Sequence, residues 1–141
     1  MNKICHLTSV HSRFDVRIFI KECRSLAELK RYNVNLIVAD NFGDEEINEI
    51  SIYDVGKSKN RITRIFKSTR DILKLAKKID CDIYHFHDPE LIPVGLRLKK
   101  LGKIVIYDIH ENLVEQIKIK VWIPKWCRLF ISGFFKIIEN H

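Results

Sequence analysis

At 141 residues the chain has the length of one domain, enough for a real core but small for an enzyme that handles two substrates. A hydrophobic fraction of 46% and a charged fraction of 30% exclude a disordered or fibrous chain, and no apolar run approaches the roughly 20 residues that a spanning helix needs. The net charge of +7 points to an anionic partner, and charge alone leaves open a phosphate-bearing substrate, a membrane surface or nucleic acid. Cys5, Cys23, Cys81 and Cys127 are widely spaced with no C-x-x-C pair, which reads as buried free thiols in a reducing compartment. The first residues read as a strand and not as a signal peptide, so the expected location is cytoplasmic.

In chain order, Lys3 to Val10 reads as strand one, followed by the loop His11-Ser12-Arg13-Phe14-Asp15. Asp15 can cap a helix from about Arg17 to Tyr32, in which Phe19, Cys23, Leu26 and Leu29 recur at intervals of three and four. Val34 to Ala39 is strand two. A turn-rich segment over Asp40–Asp44 leads to Ile50–Val55, which alternates as a half-exposed strand three. A long helix is expected from Arg61 to Ile79, with Ile62, Ile65, Phe66, Ile72, Leu73, Ala76 and Ile79 on its apolar side. On the other side Arg61, Arg64, Lys67, Arg70, Lys74 and Lys77 make a cationic stripe, either a solvated face or an anion-binding surface.

The centre of the chain is Asp82-Ile83-Tyr84-His85-Phe86-His87-Asp88-Pro89-Glu90-Leu91, where an apolar strand runs straight into a helix start. Asp88 offers a side-chain cap and Pro89 suits the first helical position; the helix should reach about Leu101, with Gly102 as its left-handed cap. Lys103 to Asp108 is the next strand, ending at Ile109-His110-Glu111. Asn112 to Lys120 is helical or irregular, and after Trp122-Ile123-Pro124 a helix from Lys125 to Glu139 is apolar nearly all round.

Strands alternating with helices give an α/β fold, a Rossmann-like, doubly wound, mainly parallel sheet of order 3-2-1-4-5 with helices on both faces, here one domain over residues 1–141. Ligands in such sheets bind beyond the carboxyl ends of the strands where the strand order reverses. Ser9, His11 and Ser12 after strand one, His87 and Asp88 after strand four, and His110 and Glu111 after strand five should meet there. Period two puts His85 and His87 on one face, so a chelating pair is geometrically possible, as in a metal-dependent hydrolase. Further ligands are not recognisable in the sequence, and no metal is expected. The alternative is a satisfied core histidine at 85, with His87 bordering the cleft and His85 under the sheet surface.

Four stretches together resemble the N-terminal domain of family 4 glycosyltransferases: His6-Leu7-Thr8-Ser9-Val10-His11; Phe14-Asp15-Val16-Arg17-Ile18-Phe19 with Lys21-Glu22; Asp82 to Leu91; and Val105-Ile106-Tyr107-Asp108-Ile109-His110-Glu111. They keep that family's order along nearly the whole chain. The resemblance implies a GT-B enzyme of two Rossmann-like domains, in which the N-terminal domain receives the acceptor and the C-terminal domain holds the nucleotide-sugar. It implies that Ser9, His11, Ser12, Arg13, Asp15, Arg17, His87, Asp88 and Glu111 bind substrate, and that His110 faces the transferred sugar as the catalytic position. It implies a nucleotide-sugar donor as substrate and no cofactor.

Three features depart from the family pattern. The loop after strand one has no glycine, Arg31 stands before Tyr32 where a glycine is common, and the donor domain with its E-x7-E carboxylates is not part of the chain. The reading is therefore the acceptor-side half of a glycosyltransferase of glycan or lipid-linked sugar biosynthesis, as a truncated product or as one subunit of a split enzyme, with a donor-domain partner chain or self-association through residues 117–138. The competing reading is a non-catalytic module at an anionic membrane or partner surface, formed by Arg61, Arg64, Lys67, Arg70, Lys74, Lys118, Lys120, Trp122, Trp126 and Phe130. Nucleic acid is not an expected partner.

Overall fold

The computed structural model describes residues 2–109. His110, Glu111, Lys118, Lys120, Trp122, Trp126, Phe130, Cys127 and the two expected helical segments after residue 111 lie outside the described residues. Six strands form one sheet in the order β3-β4-β2-β1-β5-β6: β1 (Asn2–Leu7), β2 (Tyr32–Val38), β3 (Glu45–Ile47), β4 (Ile50–Asp54), β5 (Ile83–Phe86) and β6 (Ile104–Tyr107). All neighbours run parallel except β3, which pairs antiparallel with β4. The five strands expected from the sequence take the expected order. The addition is β3, in a segment to which the sequence reading assigned no strand: left-handed Asn48 and Glu49 turn the chain so that Glu45–Ile47 folds back on β4.

Three helical elements connect the strands. The first, α1, begins as Val16–Cys23 with π-type geometry and continues as the α-helical Arg24–Glu28. Asp15 caps it, its carboxylate accepting from the N–H groups of Arg17 and Ile18. It stops well short of the expected Tyr32, because Lys30 adopts a left-handed conformation and the chain re-enters the sheet at Tyr32. No glycine marks that turn, so the sequence pattern runs through it. The second, α2, comprises Arg61–Thr63, Arg64–Ser68 and Thr69–Ile79, with Asn60 and Thr63 forming a capping box. The third, α3, opens with the tight turn Pro89–Leu91 and continues as Ile92–Lys100, ending at left-handed Gly102.

Residue parity along the strands decides what each face packs against. Ile18, Phe19, Cys23 and Ala27 of α1 bury against Val34, Leu36, Val38, Ile50 and Ile52 on one face. On the other face the Tyr84 hydroxyl donates to the Ala76 carbonyl of α2 and accepts from the Cys81 N–H. There, Phe86 stacks on Tyr107 with ring centroids 4.5 Å apart, and α3 crosses so closely that a Cβ on Gly95 would stand 2.6 Å from the Phe86 ring. Cys5, Cys23 and Cys81 are buried free thiols, as expected from their spacing.

The apolar side expected for the long helix is only half realised. Ile72, Leu73 and Ala76 are buried, but Ile62 is 70% and Phe66 74% exposed. The apolar side chains of the first turns of α2 stay in solvent while those of the later turns are buried, which periodicity does not reveal.

Candidate functional site

The carboxyl ends of β1, β5 and β6 bring together two adjoining groups of polar side chains. The first is organised by Asp88, which the sequence reading assigns as a helix cap. Asp88 stands at the cap position but makes no capping hydrogen bond. Its carboxylate turns back across the switch point, where Oδ2 accepts from the Thr8 hydroxyl at 2.8 Å, the Ser9 N–H at 2.6 Å and the Ser9 hydroxyl at 3.4 Å. His11 Nε2 lies 3.4 Å from Oδ1. Burial works to raise the Asp88 pKa, and the hydrogen bonds from His11, Ser9 and Thr8 outweigh it, so the carboxylate is held below its usual range. The same contact, ahead of the opposing effect of burial, raises His11.

This network also governs the loop after β1. The Thr8 hydroxyl accepts from the N–H groups of Val10 and His11, and Ser9 donates its hydroxyl to Glu90 at 2.6 Å. Arg64 Nε donates to the same Glu90 oxygen at 2.7 Å, which draws one member of the cationic stripe inward, while Arg61, Lys67, Arg70 and Lys74 remain exposed. In a glycine-rich loop the amides of these positions would be directed at a phosphate. Here the N–H groups of Ser9, Val10 and His11 are engaged by Asp88 and Thr8. Ser12 is exposed beside them.

Arg13, expected to bind substrate, is 5% exposed and taken up by the protein itself. Its Nε and Nη2 form a fork on Asp40 at 2.7 and 2.6 Å, Nη1 pairs with Glu45, and Nη2 also donates to the Gly43 carbonyl at 2.9 Å. The guanidinium thereby ties the loop after β1 to the loop after β2 and to β3.

The second group lies on the α1 face. Parallel pairing sets His6 directly beside His85, and period two adds His87, so three imidazoles crowd together with centroids 4.5 to 5.4 Å apart. Glu22 reaches them from α1. Its Oε2 lies 3.4 Å from His6 Nδ1, 3.7 Å from His85 Nδ1 and 3.6 Å from His87 Nε2, and His6 Nδ1 is 3.1 Å from His87 Nε2. Behind them, Asp108 Oδ2 stands 3.3 Å from His87 Nδ1 and 3.6 Å from Arg17 Nε. Burial and the neighbouring Asp108 push the Glu22 carboxyl up to about 7. Burial, followed by the His85 charge, lowers His87 to about 4 and lowers His6 well below the imidazole range.

The shared face of His85 and His87 is as expected, but their burial is reversed. The His87 side chain is fully buried, whereas His85 keeps a side-chain exposure of 19%. The sequence reading gave neither His6 nor Glu22 a role at this site. Glu22 carried a signal in the sequence: it falls four residues after Ile18, on the inward side of the helix that Ile18, Phe19 and Cys23 define. A carboxylate within that stripe has to meet a partner in the fold.

No family model matches the chain and no curated protein is significantly similar to it in sequence. Among solved structures it is similar to a sucrose-phosphate synthase from Thermosynechococcus elongatus, with a TM-score of 0.65 and 12% identity over 94% of this chain. It is also similar to the C-terminal domain of a hydrogenase from Pyrococcus furiosus, with a TM-score of 0.52 and 11% identity over 77% of this chain and 92% of that domain. The chain spans 39% of the synthase. At these identities the likeness is one of fold, and that fold is a Rossmann-like α/β unit of the kind found in GT-B glycosyltransferases.

Proposed function

We propose that the chain is the acceptor-side half of a nucleotide-sugar-dependent glycosyltransferase. The observation that carries this reading is the self-satisfied loop after β1. In a GT-B-like fold it presents hydroxyls, an imidazole and carboxylates at the switch point, with its backbone amides turned away from phosphate binding. Such a wall suits the hydroxyl groups of a sugar acceptor better than a diphosphate. Ser9, His11, Ser12, Asp15, Arg17 and Asp88 are the described residues proposed to border the acceptor, with His110 proposed to face the transferred sugar and Glu111 beside it. Arg13 and His87 support this wall from beneath.

The reading is tested by titrating the isotope-labelled chain with neutral mono- and disaccharides and with nucleotide-sugars, following amide shifts. Saccharides are expected to shift residues 8–17 and 88–90, and the pure chain is expected to transfer no sugar, because one wall of a cleft cannot position both substrates. Shifts confined to other surfaces, or turnover by the chain alone, would refute the assignment.

A second reading is favoured by one observation: the start of α2 exposes Ile62 and Phe66 beside Arg61, Lys67 and Arg70. Apolar side chains ringed by cations suit an anionic membrane surface, with attraction of about 1 kcal/mol per basic residue close to it. No helix among the described residues is long and apolar enough to cross a membrane. Flotation with phosphatidylserine vesicles is expected to weaken from low to high salt and in Phe66→Ala; indifference to the vesicles at low salt would end this reading.

A further inference from the structure

We propose that His6, Glu22, His85 and His87 form a binding site for one divalent transition-metal ion of the zinc class, which pins α1 to the ends of β1 and β5. The proposal rests on how the ligand atoms are disposed. These four residues each offer one ligand atom, and the atoms all lie within 4.8 Å of one another. With metal–nitrogen and metal–oxygen distances of about 2.0–2.1 Å, a tetrahedral ion sets its ligand atoms about 3.3 to 3.4 Å apart. Four of the six separations, 3.1, 3.4, 3.6 and 3.7 Å, surround that value, and the two between His85 and the other imidazoles lie within 4.8 Å. His85 is the partly exposed member of the set, with 19% side-chain exposure.

The same distances are poor for hydrogen bonding. The three nitrogens stand 3.4 to 3.7 Å from Glu22 Oε2, long for N–H···O bonds, and this buried oxygen accepts none. A buried carboxylate oxygen facing three imidazole nitrogens is explained when one cation sits among them, because all four lone pairs then converge on a positive charge. His6 is wholly buried and its Nδ1 is directed into the cluster.

The surroundings support the same conclusion. His87 offers Nε2 to the centre while its Nδ1 faces Asp108 at 3.3 Å, the carboxylate–histidine arrangement that orients a ligating ring. Arg17, 3.6 Å from Asp108 and 3.9 Å from Glu22 Oε1, lies between the two carboxylates on their outer side. Four protein ligands close a tetrahedral shell, so the ion would be structural. The three-nitrogen, one-oxygen set suits zinc, cobalt or nickel better than magnesium or calcium. This site is independent of the acceptor-binding reading, and each can fail without the other.

The test is to strip the 141-residue chain with chelator and titrate it with Co²⁺, then displace Co²⁺ with Zn²⁺, following visible absorption and thermal unfolding. One equivalent is expected to bind with the intense visible bands of tetrahedral cobalt. Saturating Zn²⁺ should raise Tm by at least about 5 °C. His85→Ala and Glu22→Gln, both at partly exposed positions and compatible with the fold, should each weaken binding at least tenfold with unchanged circular dichroism. Asp108→Asn should weaken it by about 10- to 100-fold, and His11→Ala should leave it unchanged. Absence of stoichiometric binding, an octahedral cobalt spectrum, or full binding in both His85→Ala and Glu22→Gln would overturn the proposal in favour of a metal-free cluster held by shared protons.

Discussion

Replacing Arg13 by alanine is expected to destabilise the protein by about 3 kcal/mol, one of the two largest single-residue effects foreseen outside the apolar core. The guanidinium is buried, and its removal strands the Asp40 carboxylate, whose side chain is only 12% exposed, together with Glu45 and the Gly43 carbonyl. Breaking one side of a buried pair leaves the other charge without compensation, and that cost exceeds what the pair contributes relative to an apolar substitute. Lysine should recover little, because a point charge cannot reproduce the fork on Asp40. Urea unfolding of wild type, Arg13→Ala and Arg13→Lys measures this. An Arg13→Ala protein of unchanged stability with impaired saccharide binding would return Arg13 to the substrate-binding residues named from the resemblance.

Asp88→Ala is expected to cost about 2 to 4 kcal/mol and to loosen the loop from Thr8 to His11. The substitution removes the acceptor used by the Thr8 hydroxyl and by the N–H and hydroxyl of Ser9, all at buried positions. Asp88→Asn keeps the shape but offers a neutral acceptor, so its loss should be smaller. Hydrogen exchange at the Ser9 amide gives a local readout, with faster exchange expected in Asp88→Ala than global destabilisation alone produces. Slow exchange at Ser9 in a destabilised Asp88→Ala would mean that the loop is held by something other than this carboxylate.

Much of the architecture was legible because it follows from local chemistry. The apolar runs around Val34–Val38 and Ile83–Phe86 can only be strands covered on both faces, and Asp15, Pro89 and Gly102 punctuate the helices as their side chains and backbones require. Elsewhere the pattern misled for identifiable reasons. Lys30 takes a left-handed turn at a cost that an isolated helix would avoid, and β2 repays it by pulling Tyr32 into the sheet. Glu45–Ile47 carries no strand signature of its own and is a strand because β4 offers it an open edge.

The amino-acid sequence by itself determined the parallel α/β order, since alternating strand and helix periods with right-handed crossovers leave few topologies, and it put Ser9, His11, Ser12, His87 and Asp88 just beyond strand ends near the switch point. Only the tertiary structure decided what those residues do there. The register of β1 against β5 sets His6 beside His85, the descent of α1 brings Glu22 onto three imidazoles, and the turn of Asp88 away from its helix closes the loop after β1. Apart from the approach of Glu22 to His6, each of these is a contact between segments some 60 to 80 residues apart in sequence. Periodicity and capping rules act over a few residues, so they fix which elements form. Which polar side chains must share a desolvated space is settled by the packing of those elements against one another.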